Sequence, residues 1–339
     1  MKKHLLVVAG LSMFALASAG AQDLTSPKCT TANGPVQALN ACQQAYDLYQ
    51  FMSPQLGLAL AGGNATLGVG STLGGLGHFS VGIRVNAFQG SLPQADKFVT
   101  SSTGARSQSL PTSDQFLGLP TADAAIGILS GIPLGVTNVL GVDALVSAAY
   151  VPTFSSGTVS VKPSQSLQVG YGVRVGLLQE SIVVPGVSVT YLKRDLPTTS
   201  IVGSSGSSTS TNTISLGINN LKVNTTAWRV VASKSLLLFS FAAGGGIDKY
   251  EQSADIAATV SNIVGIPGVT TATATVPGTS QSLQRNNYFF DAALNLPLFK
   301  IVAEAGQVSG GAVATYNSFN GGRADKSLQY FSAGIRVGL

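Results

Sequence analysis

Four arginines stand in short stretches that alternate large apolar residues with glycine or other small residues: Arg84 in FSVGIRV, Arg174 in GYGVRVGLL, Arg229 in AWRVV and Arg336 in FSAGIRVGL. Each occupies the phase opposite the large side chains. Asp143, Asp248, Asp291 and Glu304 hold the same phase in four further stretches of this kind. Side chains of a β-strand alternate between its two faces, so the eight charges share one face of a sheet. Unpaired guanidiniums there would line a basic path for an anionic or amphiphilic solute. Pairing with the carboxylates would instead make an internal ion-pair network, which equal numbers of each sign favour because desolvated charges need partners.

The N-terminus sets the compartment in which that face works. Lys2 and Lys3, an apolar run from Leu5 to Ala17 and the small-residue site Ala19-Gly20-Ala21 read as a secretory signal peptide over residues 1–21. The run is too short for an uncleaved spanning helix, which needs about 20 apolar residues. No Cys follows it where a lipid anchor would attach. Cys29 and Cys42, the only cysteines, would then meet an oxidising compartment, and a disulfide between them is expected.

Other chemistry lacks its parts. After cleavage the one histidine left is His78, and no Cys/His spacing around it suits zinc. Serines are abundant, yet a hydroxyl nucleophile needs a base, and His78 falls at a short turn away from the outer rim. Gly244-Gly245-Gly246 and Gly310-Gly311 precede no helix, so they read as strand positions without room for a bulky residue and not as phosphate loops. No catalytic, metal or cofactor site is expected. Nor is nucleic acid: the formal charge of +5 falls to +3 without Lys2 and Lys3, and it is scattered.

Composition and period identify the elements that carry the charges. Only 10% of residues are charged and 40 of 339 are glycine, whereas soluble domains carry about 25% charged residues. Lipid would remove the need for a charged surface. Residues 22–77 form an arm, an amphipathic helix starting at Gly34-Pro35 and stopping at Ser53-Pro54, and the glycine-rich stretch LGLALAGGNATLGVGSTLGGLG. A bridge from Cys42 to Cys29 would fold the arm back on the helix, as a periplasmic cap or as a plug inside a lumen. From His78 to Leu339 the period is two. Short turns alternate there with long Ser/Thr-rich loops, including 195–224 and 251–286.

This pattern predicts an all-β fold: a transmembrane antiparallel up-and-down β-barrel of about 10–12 strands with a short N-terminal helical plug or cap. A secreted β-sandwich would need a polar outer face, and the apolar face here is broad. The first and last strands of a closed barrel are neighbours, which places Phe79 to Val85 beside Phe331 to Val337. Glycines of the polar phase would keep the interior open. The terminal strand also resembles the recognition strand read by the outer-membrane assembly machinery, with Leu339 where an aromatic residue is usual.

The stretches GLALAGGNATLGVGSTLGGLGHFSVGIRV, LPTADAAIGILSGIPLG and VGLLQESIVVPGVSVTYLKRDLP resemble an uncharacterised family of outer-membrane barrels related to the long-chain fatty-acid transporters. That resemblance implies a bacterial outer-membrane location, passage of small or hydrophobic solutes and an N-terminal hatch over Pro35 to Gly77. The Asn-Pro-Ala sequence of the transporters' hatch is absent. The alternative is a structural barrel whose loops make surface contacts.

Overall fold

The computed structural model describes residues 27–29, 35–101, 107–156, 158–206, 212–264, 266–320 and 322–338. The predicted leader, 1–21, and Leu339 lie outside them. One helix, α1 (Val36–Ala61), precedes strands β1 (Phe79–Pro93), β2 (Thr112–Leu129), β3 (Ile132–Leu134), β4 (Thr137–Val139) and β5 (Gly141–Tyr150). There follow β6 (Phe154–Ser156), β7 (Val159–Pro163), β8 (Leu167–Leu178), β9 (Gly186–Asp195) and β10 (Thr199–Gly206). The last are β11 (Thr213–Leu236), β12 (Phe239–Ser261), β13 (Thr271–Asn295), β14 (Lys300–Ser309) and β15 (Leu328–Gly338).

Ten strands close into an antiparallel barrel in the order β1-β2-β5-β8-β9-β11-β12-β13-β14-β15 and back to β1. Val81 pairs with Val337 and Val85 with Ala333, so the two similar motifs are neighbours at the closing seam. Their glycines explain the shared spelling. Arg84 faces Gly334 and Arg336 faces Gly82 across the ladder, and a Cβ on Gly334 would come within 2.9 Å of the Arg84 Cβ. Antiparallel pairing of two Gly-x-Arg strands thus gives each guanidinium stem an empty opposite position.

Outward residues of the lower barrel, the end holding Phe79 and Gly338, are apolar and exposed: Val81, Ile83, Phe241, Ile247, Phe290, Ile301 and Ile335 among them. This belt ends abruptly. On β12 the outward positions Phe239, Phe241 and Ile247 give way to Lys249 and Glu251, which form an exposed ion pair. From Phe239 to Ile247 is one crossing, since a tilted strand takes about 9–11 residues to pass the hydrocarbon. Trp228 packs on Tyr191 near the upper rim, where aromatic girdles sit.

Above the belt the structure departs from the sequence reading. The stretches 195–224 and 251–286 are largely strand and not loop: β11, β12 and β13 run on for 24, 23 and 25 residues. Their inward face changes chemistry on the way. On β12 the inward positions are Ser240 and Asp248 below, then Ala254, Ile256, Ala258 and Val260 above, all buried. Water outside and an apolar core inside reverse the pattern that lipid imposes lower down. Between Asn219 and Lys222 a register irregularity in β11 swaps its inward parity from odd positions, such as Leu221 and Arg229, to even ones, such as Ile214, Leu216 and Ile218. β10, β7 and β6 extend the sheet beside upper β11.

Helix α1 stands inside this wall as a plug, packed against β11, β12 and β13. It runs through Pro54 to Ala61, past the stop expected at Ser53-Pro54. Wall contacts hold the helix around the proline: Gln252 donates to the Ser53 carbonyl, and Gln55 exchanges two hydrogen bonds with the Ser91 backbone. Enclosure also buries its polar face, including Gln37, Asn40, Gln43, Gln44 and Asp47. Cys29 and Cys42 are joined by a disulfide, and Gln43 accepts from the backbone N–H groups of Lys28 and Cys29, so the arm lies back on the helix.

Placing arginine at Ile83, mid-belt and outward, is expected to cost about 2–4 kcal/mol, against at most about 1 kcal/mol for Thr273→Arg above the belt. Denaturant unfolding of the barrel from lipid vesicles measures both.

Candidate functional site

The charged residues of the lower lumen act on the plug backbone. Asp123 forms an ion pair with Arg84, 2.8 Å from its Nε, and accepts from Arg194 Nη2 at 2.9 Å. Arg174 pairs with Asp143 at 2.7 Å, and Arg229 pairs with Asp248. Each arginine of two of these groups also reaches inward: Arg194 Nη1 donates to the Leu60 carbonyl at 3.3 Å, Arg229 Nη2 to Ala61 at 3.2 Å and Arg84 Nη1 to Asn64 at 2.8 Å. Asn86 Nδ2 donates to Leu58 and Ala59. The last four carbonyls of a helix lack partners within it and carry its negative dipole end. Here the wall satisfies them, and α1 has no basic residue in its own last turn.

Carboxylates hold the N–H groups that follow. Glu304 accepts from Asn64 N at 2.7 Å, Asp291 from Gly68 N and Asn64 Nδ2, both at 2.8 Å, and Asp143 from Leu73 N at 3.1 Å. Asp291 and Glu304 are cross-strand neighbours. All eight charges expected on one face are buried on the inner side of the wall. Arg84, Arg174 and Arg229 pair as an internal network would require. Asp291 and Glu304 serve the plug without an arginine partner, and Arg336 forms no ion pair among the described residues. Asp123 and Arg194 were absent from the sequence reading. Arg194 continues the even, inward phase of Ser188, Thr190 and Leu192, so its position in β9 was a readable signal.

The segment after the helix closes the floor, and the inward glycines admit it instead of leaving an open lumen. A Cβ on Gly70 would come within 2.7 Å of Ser233 N, and one on Gly186 within 2.5 Å of the Ser71 Cβ. At Gly127 it would strike the Gly75 carbonyl. His78 lies exposed at the lower end, where its carbonyl accepts from Gly127 N.

Above this floor lies a cavity of about 770 Å³ between α1 and the upper wall. Leu48, Met52 and Leu56 line it from the helix, and Leu119, Leu216 and Ile218 from the strands. Tyr49 also borders it, with the side chain buried. The cavity reaches a seam in the wall. β2 pairs with β5 up to Thr121–Ala149 and with no strand on that side beyond it among the described residues. Pro120 and Pro152 flank the parting strands, and proline has no N–H for a ladder. Exposed Phe116, Tyr150 and Phe154 line this edge of the cavity.

A latch at the top joins the helix to the β14–β15 connection. Asp47 accepts from Tyr316 N, Asn317 N and Asn317 Nδ2 at 3.1, 2.9 and 2.7 Å, and from Gln43 Nε2 at 3.0 Å. Phe319 stacks on Phe51 below it. Burial pushes the Asp47 carboxyl up from 3.8 to about 6, against donors that pull it down.

Neither a family model nor a curated relative matches the sequence. Among solved structures, the chain is similar to the outer membrane protease OmpT from Escherichia coli at 7% identity, covering 78% of this chain and 97% of that one, with a TM-score of 0.34. For the Pseudomonas putida toluene transporter TodX the values are 12%, 81%, 96% and 0.32. For the transport unit of the Escherichia coli autotransporter AIDA-I they are 6%, 88%, 99% and 0.29. Likeness at this level decides nothing about activity; the barrel rests on its own strand pairing.

Asp291→Ala removes the acceptor of Gly68 N. Leaving a buried donor unsatisfied costs about 1–3 kcal/mol, so exchange of the Gly68 amide should accelerate roughly 5- to 150-fold while β13–β14 amides hold. The Asp47 latch has a pH signature. Between pH 3.8 and about 6 the folded carboxyl keeps a proton that an unfolded chain has released. Stability therefore falls as pH rises through that window, by an amount on the order of 3 kcal/mol. Protection of α1 amides, corrected for intrinsic exchange, should decline from pH 4 to pH 6 in the wild type and stay flat in Asp47→Asn.

Proposed function

We propose that this protein is a bacterial outer-membrane barrel that takes up small hydrophobic solutes, with its lower end periplasmic and its long hairpins outside the cell. The observation that carries the reading is the apolar cavity of about 770 Å³ meeting a proline-flanked seam in the wall. Binding pockets of about 300–1,000 Å³ with few polar groups suit compact apolar ligands. Closure of the floor by residues 62–77 argues for a hatch that must shift for release, and against a passive open pore.

Lipid around the belt and the assembly machinery at the terminal strand are the partners this reading implies. Outward Phe331, Ala333, Ile335 and Val337 supply the apolar alternation such a strand presents.

Two measurements test it. A lipophilic dye should bind the folded barrel in neutral detergent, and Leu56→Trp and Ile201→Trp, which fill the cavity from opposite sides, should each weaken it at least about tenfold, the equivalent of 1.4 kcal/mol. In a planar bilayer the protein should show no steady ion conductance. Dye binding indifferent to both substitutions would sink the cavity reading and leave a barrel whose long hairpins make surface contacts.

A further inference from the structure

At the lower mouth lies a second cavity, of about 310 Å³, separate from the one above the plug. Arg336 and Lys300 both line it, and they are paired across the β14–β15 ladder. Arg336 is only 8% exposed, and its Nη1 has no hydrogen-bond partner. The other arginines first read in the inward phase each have a carboxylate within 2.9 Å. Among the described residues one carboxylate lines this cavity, Glu180, and its two oxygens accept from Ser235 N and Ser233 Oγ. Hydroxyls of Ser71 and Ser80 also line the walls, with Leu73, Phe79 and Leu298 as an apolar side.

A buried guanidinium without a partner is costly, and in a water-accessible mouth the natural compensation is an anion. Its planar fork matches carboxylate and phosphate oxygens. The adjacent ammonium adds a second positive charge, and the apolar side accommodates a short hydrocarbon. We propose that this mouth is an anion-binding site for an amphiphile with a carboxylate or phosphate head, seated on Arg336 and Lys300 with its chain against Leu73, Phe79 and Leu298. The site goes beyond uptake through the upper cavity and does not depend on it. Such a head belongs either to a soluble amphiphile or to a lipid of the surrounding leaflet.

Calorimetric titration of the folded barrel in neutral detergent distinguishes these sources. Octanoate and a short-chain phosphatidylglycerol are the two anionic probes, and octanol is the uncharged control. Octanoate binding more tightly would assign a soluble amphiphile, and the phospholipid binding more tightly would assign a lipid. In either case Arg336→Gln should weaken the anion at least tenfold and leave octanol unchanged, while Lys300→Arg should retain it. Heat-modifiable migration on gels reports that each variant is folded. Should Arg336→Gln not fold, Lys300→Gln provides the same comparison with a smaller expected loss. Anions binding no better than octanol, or binding equally well to the charge-neutralised variants, would overturn the site.

Discussion

The end of helix α1 is where the molecule is held together. A helix terminating inside a barrel leaves its last carbonyls short of partners within the helix. Asn86, Arg194 and Arg229 donate to the carbonyls of Leu58 to Ala61, and Arg84 to that of Asn64. Asp123 and Asp248 pair with those guanidiniums and orient them. Breaking a buried pair leaves an uncompensated charge, at a cost of about 3–5 kcal/mol. The clamp therefore fixes the depth of the plug. Depth in turn determines that the floor segment meets the inward glycines and that Leu48, Met52 and Leu56 face the upper cavity.

One wall works in two solvents. Within the belt, lipid demands apolar residues outside and the plug backbone demands polar ones inside. Above it, water outside and the packed helix inside reverse both demands along the same strands. β12 shows the change without a break in its own inward-outward alternation, from Phe241 outward and Asp248 inward to Asp255 outward and Ile256 inward. This arrangement accounts for a chain with few charges and no long apolar run. Most of its charged side chains are reserved for the lumen and the rims.

Legibility followed the range of the forces involved. The alternation in FSVGIRV and FSAGIRVGL records a local requirement of each strand, and closure of a sheet makes the first and last strands neighbours. Continuation of the helix through Pro54 was hidden, because its support comes from Gln252 and Ser91, far along the chain. Upper β11 was hidden for a different reason. The irregularity between Asn219 and Lys222 breaks the parity that a reader of alternation relies on. Arg194 lay in plain phase, whereas Arg336 was indistinguishable by pattern from Arg84 and Arg174, although the first lacks the carboxylate that the others have.

The sequence by itself determined the all-β barrel, its closing seam, the inward phase of the charges and the helix that precedes them, since these depend on period, glycine spacing and the burial preferences of single side chains. Tertiary structure alone decided which charges pair, where the plug stops and that the upper interior is apolar while the lower one is charged. Those outcomes depend on distances between strands remote in sequence, and on a helix whose unmet carbonyls select the arginines that reach them.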